Sequence, residues 1–284
     1  MKKDMLVRIL TSFIILAIFL ILFIASFYPI LFELTVACLI VLCIYEGINA
    51  TGNAEKLQFI LPSMVYGLLI PLTFSIKQIL FPFKSAYYGI IILSFIYLLI
   101  EFVISMTNFE SVKFTDTTTV MFITMVISCF LTNIIFIRKI NENGFFYMIL
   151  AIVCFAWVTD IFAYFVGMLF GKHKLSPHIS PKKTIEGAIG GTVFSVLFTI
   201  IFCLVYSQIT DVQFNWLAVV VYSLLCTIIG QIGDLSFSYI KRTYGIKDFG
   251  KILPGHGGFL DRLDSLIFIA PLFYMLISFK DIII

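Results

Sequence analysis

From Trp216 to Arg242 the chain reads WLAVVVYSLLCTIIGQIGDLSFSYIKR. Eighteen residues pass before the first charge, Asp234, and the stretch ends on the basic pair Lys241-Arg242. At 1.5 Å per helical residue, about 20 apolar residues cover the ~30 Å of hydrocarbon in a bilayer. The segment therefore reads as a membrane-crossing helix whose last turns are polar. Similar runs recur on either side, and nine spans are expected at 9–28, 30–48, 58–76, 86–106, 118–137, 145–170, 187–207, 216–240 and 261–281. The bulk composition agrees. Of 284 residues 61% are hydrophobic and only 12% charged, and mean hydropathy is +1.09. Soluble domains carry about 25% charge, so a water-soluble globule is excluded, and 32 Phe exclude disorder. The fold class expected is all-α, a polytopic integral membrane protein of about nine transmembrane helices.

Tyr28-Pro29 makes a tight break between the first two spans, which predicts a helical hairpin. The start, Met1-Lys2-Lys3-Asp4 before a 19-residue apolar stretch, is too long for a typical signal-peptide core and is read as a retained helix. Pro62, Pro71 and Pro271 fall inside spans, where neighbouring helices tolerate a kink. The link 77–85 is apolar enough to lie at the interface. All six cysteines sit in apolar runs with no Cys-x-x-Cys, which predicts packed, reduced thiols.

With the N-terminus inside, 14 Lys/Arg fall on the cytoplasmic side and five outside, an N-in, C-out arrangement by the positive-inside rule. Arg138-Lys139 runs against it. Two spans separate loop 171–186 from loop 241–260, so both open on one face whatever the orientation. Those basic loops, all three histidines and 12 of the 17 glycines lie after residue 145. Residues 1–144 are accordingly read as a scaffold of about five spans, and 145–284 as the catalytic region of about four spans.

The candidate chemistry lies at the end of the eighth span. Asp234, Ser238 and Lys241 stand at i, i+4 and i+7, on one helical face with Gln231 one turn below. Asp234 is about 10 Å inside the loop, where a lone carboxylate costs several kcal/mol unless it meets a cation or water. Two partners are open to it: a lysine from a neighbouring helix, or a metal ion. Downstream, Asp261 and Asp264 are predicted on one face at the start of the ninth helix, and hard oxygen ligands in this number point to Mg²⁺. They can equally complement a helix dipole. Gly255, Gly257 and Gly258 let backbone amides approach an anion, and Lys241, Arg242, Lys247, Lys251, His256 and Arg262 crowd the same 22 residues. Attraction to anionic lipid would also explain single lysines.

In the other loop, Ser180 or Thr184 can cap the helix that follows, Glu186 suits its first turn, and Lys182 and Lys183 suit polyphosphate. Upstream, Asp160 and Tyr164 either extend a polar cavity into the membrane or pair structurally. Gly167/Gly171 and Gly187/Gly191 have the small-xxx-small spacing of closely packed helices.

The run from Ser238 through Lys241-Arg242, Lys247-Asp248, Gly250, Pro254, His256-Gly257-Gly258 and Asp261-Arg262 to Asp264 resembles the signature of phosphatidate cytidylyltransferases, or CDP-diacylglycerol synthases. The block from Asp160 to Gly187, including Ser180-Pro181-Lys182-Lys183-Thr184, is similar to a second block of that family. The resemblance covers about 150–270.

It implies transfer of CMP from CTP to phosphatidic acid, giving CDP-diacylglycerol and pyrophosphate in phospholipid biosynthesis. It further implies a Mg²⁺ cofactor held by Asp234, Asp261 and Asp264, with Lys241 and Arg242 also catalytic. Substrate binding would fall to Ser180, Lys182, Lys183, Thr184, Ser238, Lys247, Asp248, His256, Gly257, Gly258 and Arg262. The implied setting is a homodimer in the inner (cytoplasmic) membrane with its active site facing the cytoplasm, and no nucleic-acid partner. The rival readings are a CTP-using lipid kinase, which would release CDP, and a transporter, whose acids should line a path through both halves.

Overall fold

The computed structural model describes residues 2–52, 57–80, 86–255 and 257–284. The chain is overwhelmingly helical: α1 (Lys2–Ala25), α2 (Pro29–Ala50), α3 (Leu57–Leu80), α4 (Ala86–Thr107), α5 (Phe114–Leu131), α6 (Asn133–Lys139), α7 (Gly144–Ile149), a π-helical stretch (Leu150–Trp157), α8 (Val158–Phe170), α9 (Ile185–Thr210), α10 (Trp216–Thr243) and α11 (Asp264–Phe279). Every predicted span coincides with helix. Six segments are long and apolar enough to cross a membrane: Pro29–Ala50, Tyr88–Thr107, Phe114–Lys139, Gly144–Phe170, Ile185–Thr210 and Trp216–Thr243. Leu16–Ala25, Gln58–Thr73 and Asp264–Phe279 are apolar but shorter. At 16 residues α11 reaches only about 24 Å, short of a full hydrocarbon crossing.

Local chemistry explains several helix ends. Tyr28 is extended and Pro29 opens α2, where a missing N–H costs nothing. Thr184 Oγ1 accepts from Gly187 N at 3.1 Å and caps α9. Asp211, with φ 55°, closes α9 in the left-handed region, its N–H bonded to Ser207 O. Pro62, Pro71 and Pro271 all lie inside helices.

Loop 171–186 departs from the all-α expectation. Lys174–Ser176 (β1) and Ser180–Thr184 (β2) pair antiparallel, Lys174 opposite Thr184 and Ser176 opposite Ser180. The sequence hid this hairpin because lysines and prolines give a three-residue strand no apolar alternation to display. The six cysteines are free, and all but Cys38 are at least half-buried. The link 77–85 falls partly outside the described residues.

Two compact units result: Met1–Ile135 with Tyr244–Arg262, and Phe136–Thr243 with Leu263–Ile284. In the first, α2 packs on α3 and α5. Ile40 and Ile44 are fully buried, and Gly67 leaves room for both. This apolar core also encloses a polar patch, in which Ser63 Oγ reaches Tyr97 Oη at 3.1 Å and Glu101 Oε1 at 3.4 Å. In the second, α8 packs on α9 and α10 on α11, and the π-helical stretch contacts α9, α10 and α11. Phe155 meets Phe273 edge-on at 5.0 Å, and Ser195 Oγ donates to Cys154 O at 2.6 Å.

Candidate active site

A charged centre forms in the second unit where the hairpin meets the end of α10. Side chains alternate along a strand, so Lys182 is exposed while its neighbour Lys183 turns inward. Lys183 Nζ forms an ion pair with Asp234 Oδ2. Both side chains keep partial access to solvent, at 30% and 21%. That is what a site open to a polar ligand needs. One turn on, Ser238 Oγ donates to Asp234 Oδ1 at 3.3 Å. One turn back, Gln231 Nε2 donates to Ala188 O at 3.1 Å and Thr192 Oγ1 at 2.8 Å, tying α10 to α9. Arg242 Nε reaches Ile179 O at 3.1 Å and holds the hairpin from its other side. Of the two partners open to Asp234, the lysine is thus present, carried by a strand rather than a helix.

Asp264 completes the centre. It is buried at the start of α11, its Oδ1 accepts from Ser265 N at 2.8 Å, and it lies within electrostatic reach of Asp234, Lys241 and Asp160. Lys241 is itself buried, whereas Asp160 is exposed on α8. Three carboxylates and two ammonium groups from four elements therefore act on one another within this unit.

Asp261 and Asp264 do not begin one helix, as their spacing predicted. Asp261 sits in a 3₁₀ turn (Leu260–Arg262), and Leu263, at φ −115° and ψ −1°, interrupts the backbone before α11 starts. Asp261 belongs to the first unit and Asp264 to the second.

In the first unit Asp261 organises the glycine-rich loop: its Oδ2 accepts from Phe249 N at 3.0 Å and Gly258 N at 2.9 Å. Gly257, at φ 84°, turns the loop and bridges back to Leu253, whose N–H donates to Gly257 O at 3.1 Å. Lys247, Asp248, Lys251 and Arg262 are exposed around it. His256 lies outside the described residues.

Thr184 is spent on its helix cap, and Ser180 is half-buried in β2. Glu186, in the first turn of α9, accepts from Lys172 N at 3.1 Å and pairs with His173 Nδ1 at 2.6 Å, closing the base of the hairpin.

Sequence reasoning passed over Glu46 of α2, one of the few acids in the N-terminal spans. It is 1% exposed, and its Oε2 accepts from Leu260 N at 2.8 Å. The only signal available was an acid where hydrocarbon was expected; its partner lies 214 residues away.

The donor set is all carboxylate, which suits a hard divalent cation. Within either unit, among the described residues, no three His, Cys, Asp or Glu side chains gather closely enough to enclose one. Mg²⁺ is commonly held by one or two carboxylates together with substrate phosphates, so the Asp234–Asp264 pair fits that mode of binding.

Comparison with known proteins gives a consistent result. The model of the cytidylyltransferase family matches residues 6–280. The chain is 39% identical over 142 residues to a phosphatidate cytidylyltransferase of Bacillus subtilis (strain 168), covering 50% of this chain and 51% of that protein. It is 42% identical over 138 residues to one from Staphylococcus epidermidis (strain RP62A) and 43% over 138 residues to one from Staphylococcus haemolyticus (strain JCSC1435), in each case 48% of this chain and 51% of the relative. The chain thus spans about half the length of the curated relatives it matches. With a family match running almost from end to end, the chain belongs to the cytidylyltransferase family.

Proposed function

We propose that the protein is a phosphatidate cytidylyltransferase. A phosphate oxygen of phosphatidic acid attacks the α-phosphorus of CTP, the bond between the α-phosphorus and its bridging oxygen to the β-phosphate breaks, and pyrophosphate leaves with CDP-diacylglycerol as the lipid product. The observation that carries this reading is the charged centre of the second unit, Lys183 paired with Asp234 beside Asp264 and Lys241, in a chain of this family.

Two anions must meet, and such transfers need positioning and charge stabilisation more than a covalent side chain. Lys183 and Lys241 lower the repulsion between the substrates, and Asp234 keeps Lys183 in place until a phosphate competes for it. Arg242, Lys247 and Arg262 receive the triphosphate and the departing pyrophosphate. Ser180, Lys182, Thr184, Ser238 and Asp248 line the approach, and His256-Gly257-Gly258 offers backbone donors. Phosphatidate is already ionised at neutral pH, so no strong general base is required.

Asp234 and Asp264 would hold Mg²⁺, with Asp261 as the third ligand nominated by the sequence pattern; when bound, the ion supplies Lewis-acid stabilisation of phosphoryl charge. The wider reading comprises nine membrane passages, the catalytic machinery in the C-terminal half, a homodimer, and an inner-membrane setting with the site facing the cytoplasm. The acyl chains then stay in the bilayer while CTP arrives from water.

The test uses purified protein, CTP labelled in the α-phosphate, phosphatidate and Mg²⁺, with EDTA as control. Label in lipid with release of pyrophosphate supports the reading. Release of CDP would assign a lipid kinase instead, and no transfer would reject both.

A further inference from the structure

We propose that Glu46 is a positioning residue for the nucleotide: from α2 it fixes the glycine-rich loop in the shape that receives the triphosphate. The inference rests on the cytidylyltransferase reading and extends the substrate machinery into the N-terminal spans.

A carboxylate buried in a membrane-type helix costs several kcal/mol unless something specific uses it. Glu46 is 1% exposed, and it meets the loop at three places. Its Oε2 accepts from Leu260 N at 2.8 Å. A Cβ added to Gly258 would come within 2.6 Å of Oε2, and one added to Gly250 would collide with Oε1. Two glycines of the loop are thus bare where the Glu46 carboxylate lies. Asp261 grips the same loop from its other side through Phe249 N and Gly258 N. Oε1 takes no hydrogen bond from a described residue and faces Gly250.

The loop is therefore clamped between two carboxylates, with Lys247, Lys251 and Arg262 left exposed on its outer side. Anchoring of that kind leaves the cations free for a polyanion and fixes where they stand. A glycine loop without an anchor would present the same charges over a wide range of positions, and misplacement by about 1 Å can cost ~10²-fold in a reaction that depends on positioning.

The experiment compares Glu46→Ala, Glu46→Gln and Gly250→Ala in the full chain, in detergent micelles with phosphatidate. Glu46→Ala is expected to raise KM for CTP about tenfold or more, with KM for phosphatidate and the melting temperature unchanged. Glu46→Gln keeps an acceptor for Leu260 N and should recover most of the loss. Gly250→Ala, whose new methyl pushes on Glu46, should reproduce the alanine phenotype and keeps the test decisive if Glu46→Ala does not fold. Trypsin cleavage after Lys247 and Lys251 supplies a readout without turnover: it should be slow in the wild type, slower still with CTP, and fast in Glu46→Ala.

Unchanged CTP KM together with unchanged cleavage in Glu46→Ala would overturn the proposal, as would an equal loss toward both substrates. Absence of CMP transfer by the wild type would instead reject the functional reading, and cleavage would still report on the anchor.

Discussion

Lys183 and Asp234 illustrate how a single pair can serve two states. Unliganded, each neutralises the other across a gap that remains open to water. A phosphate entering the centre would compete with Asp234 for the ammonium. Asp234→Asn is predicted to lower CMP transfer at least ~10²-fold while leaving an inserted, folded protein, and Lys183→Met should have an effect of similar size. Because the two act together, the double variant should cost much less than the product of the single losses, which initial rates in a double-mutant cycle will measure. Lys280→Gln, remote from this centre in sequence, should leave turnover unchanged. At this scale the sequence was informative where chemistry is local: Asp234, Ser238 and Lys241 fall on one face because helical spacing alone puts them there. It was silent on Glu46 and Leu260, because no periodicity links residues 214 apart.

The elements show the same division. Helix existence followed from hydropathy, and the small-xxx-small spacing foretold the close approach of α8 and α9. There a Cβ on Gly191 would come within 2.8 Å of Thr159 O and Ala163 Cβ. Gly191→Val is therefore expected to destabilise the protein by about 1–3 kcal/mol through overpacking, seen as a lower melting temperature in detergent. What hydropathy does not report is backbone geometry, hence the unforeseen hairpin and the π-helical stretch at Leu150–Trp157. That stretch sets the rotation of α8 and with it the direction of Asp160. Each residue advances an α-helix by about 100°, so deleting Ile152 and restoring regular helix would swing Asp160 away from Asp264. Such a deletion should impair activity far more than Ile152→Ala, a comparison made by rate measurements on equal amounts of inserted protein.

For the whole molecule, the charge asymmetry of the loops makes a topological prediction. Single cysteines placed at Lys172 and Lys247, in a variant without its native cysteines, should both react with an impermeant maleimide from the cytoplasmic side, and one at Asp211 only from the opposite side. Labelling of Lys172 and Lys247 from opposite sides would contradict the arrangement drawn from the two intervening helices, α9 and α10. The division into two units also bears on how the chain is made. The first unit is discontinuous, closing only with Tyr244–Arg262. Glu46 thus leaves the ribosome 214 residues ahead of the amide it will hold. At 5–20 residues per second that delay is roughly 10–40 s. For that interval the nascent chain must shelter an acidic side chain without its final partner, so the earliest-made part of the protein is among the last to mature.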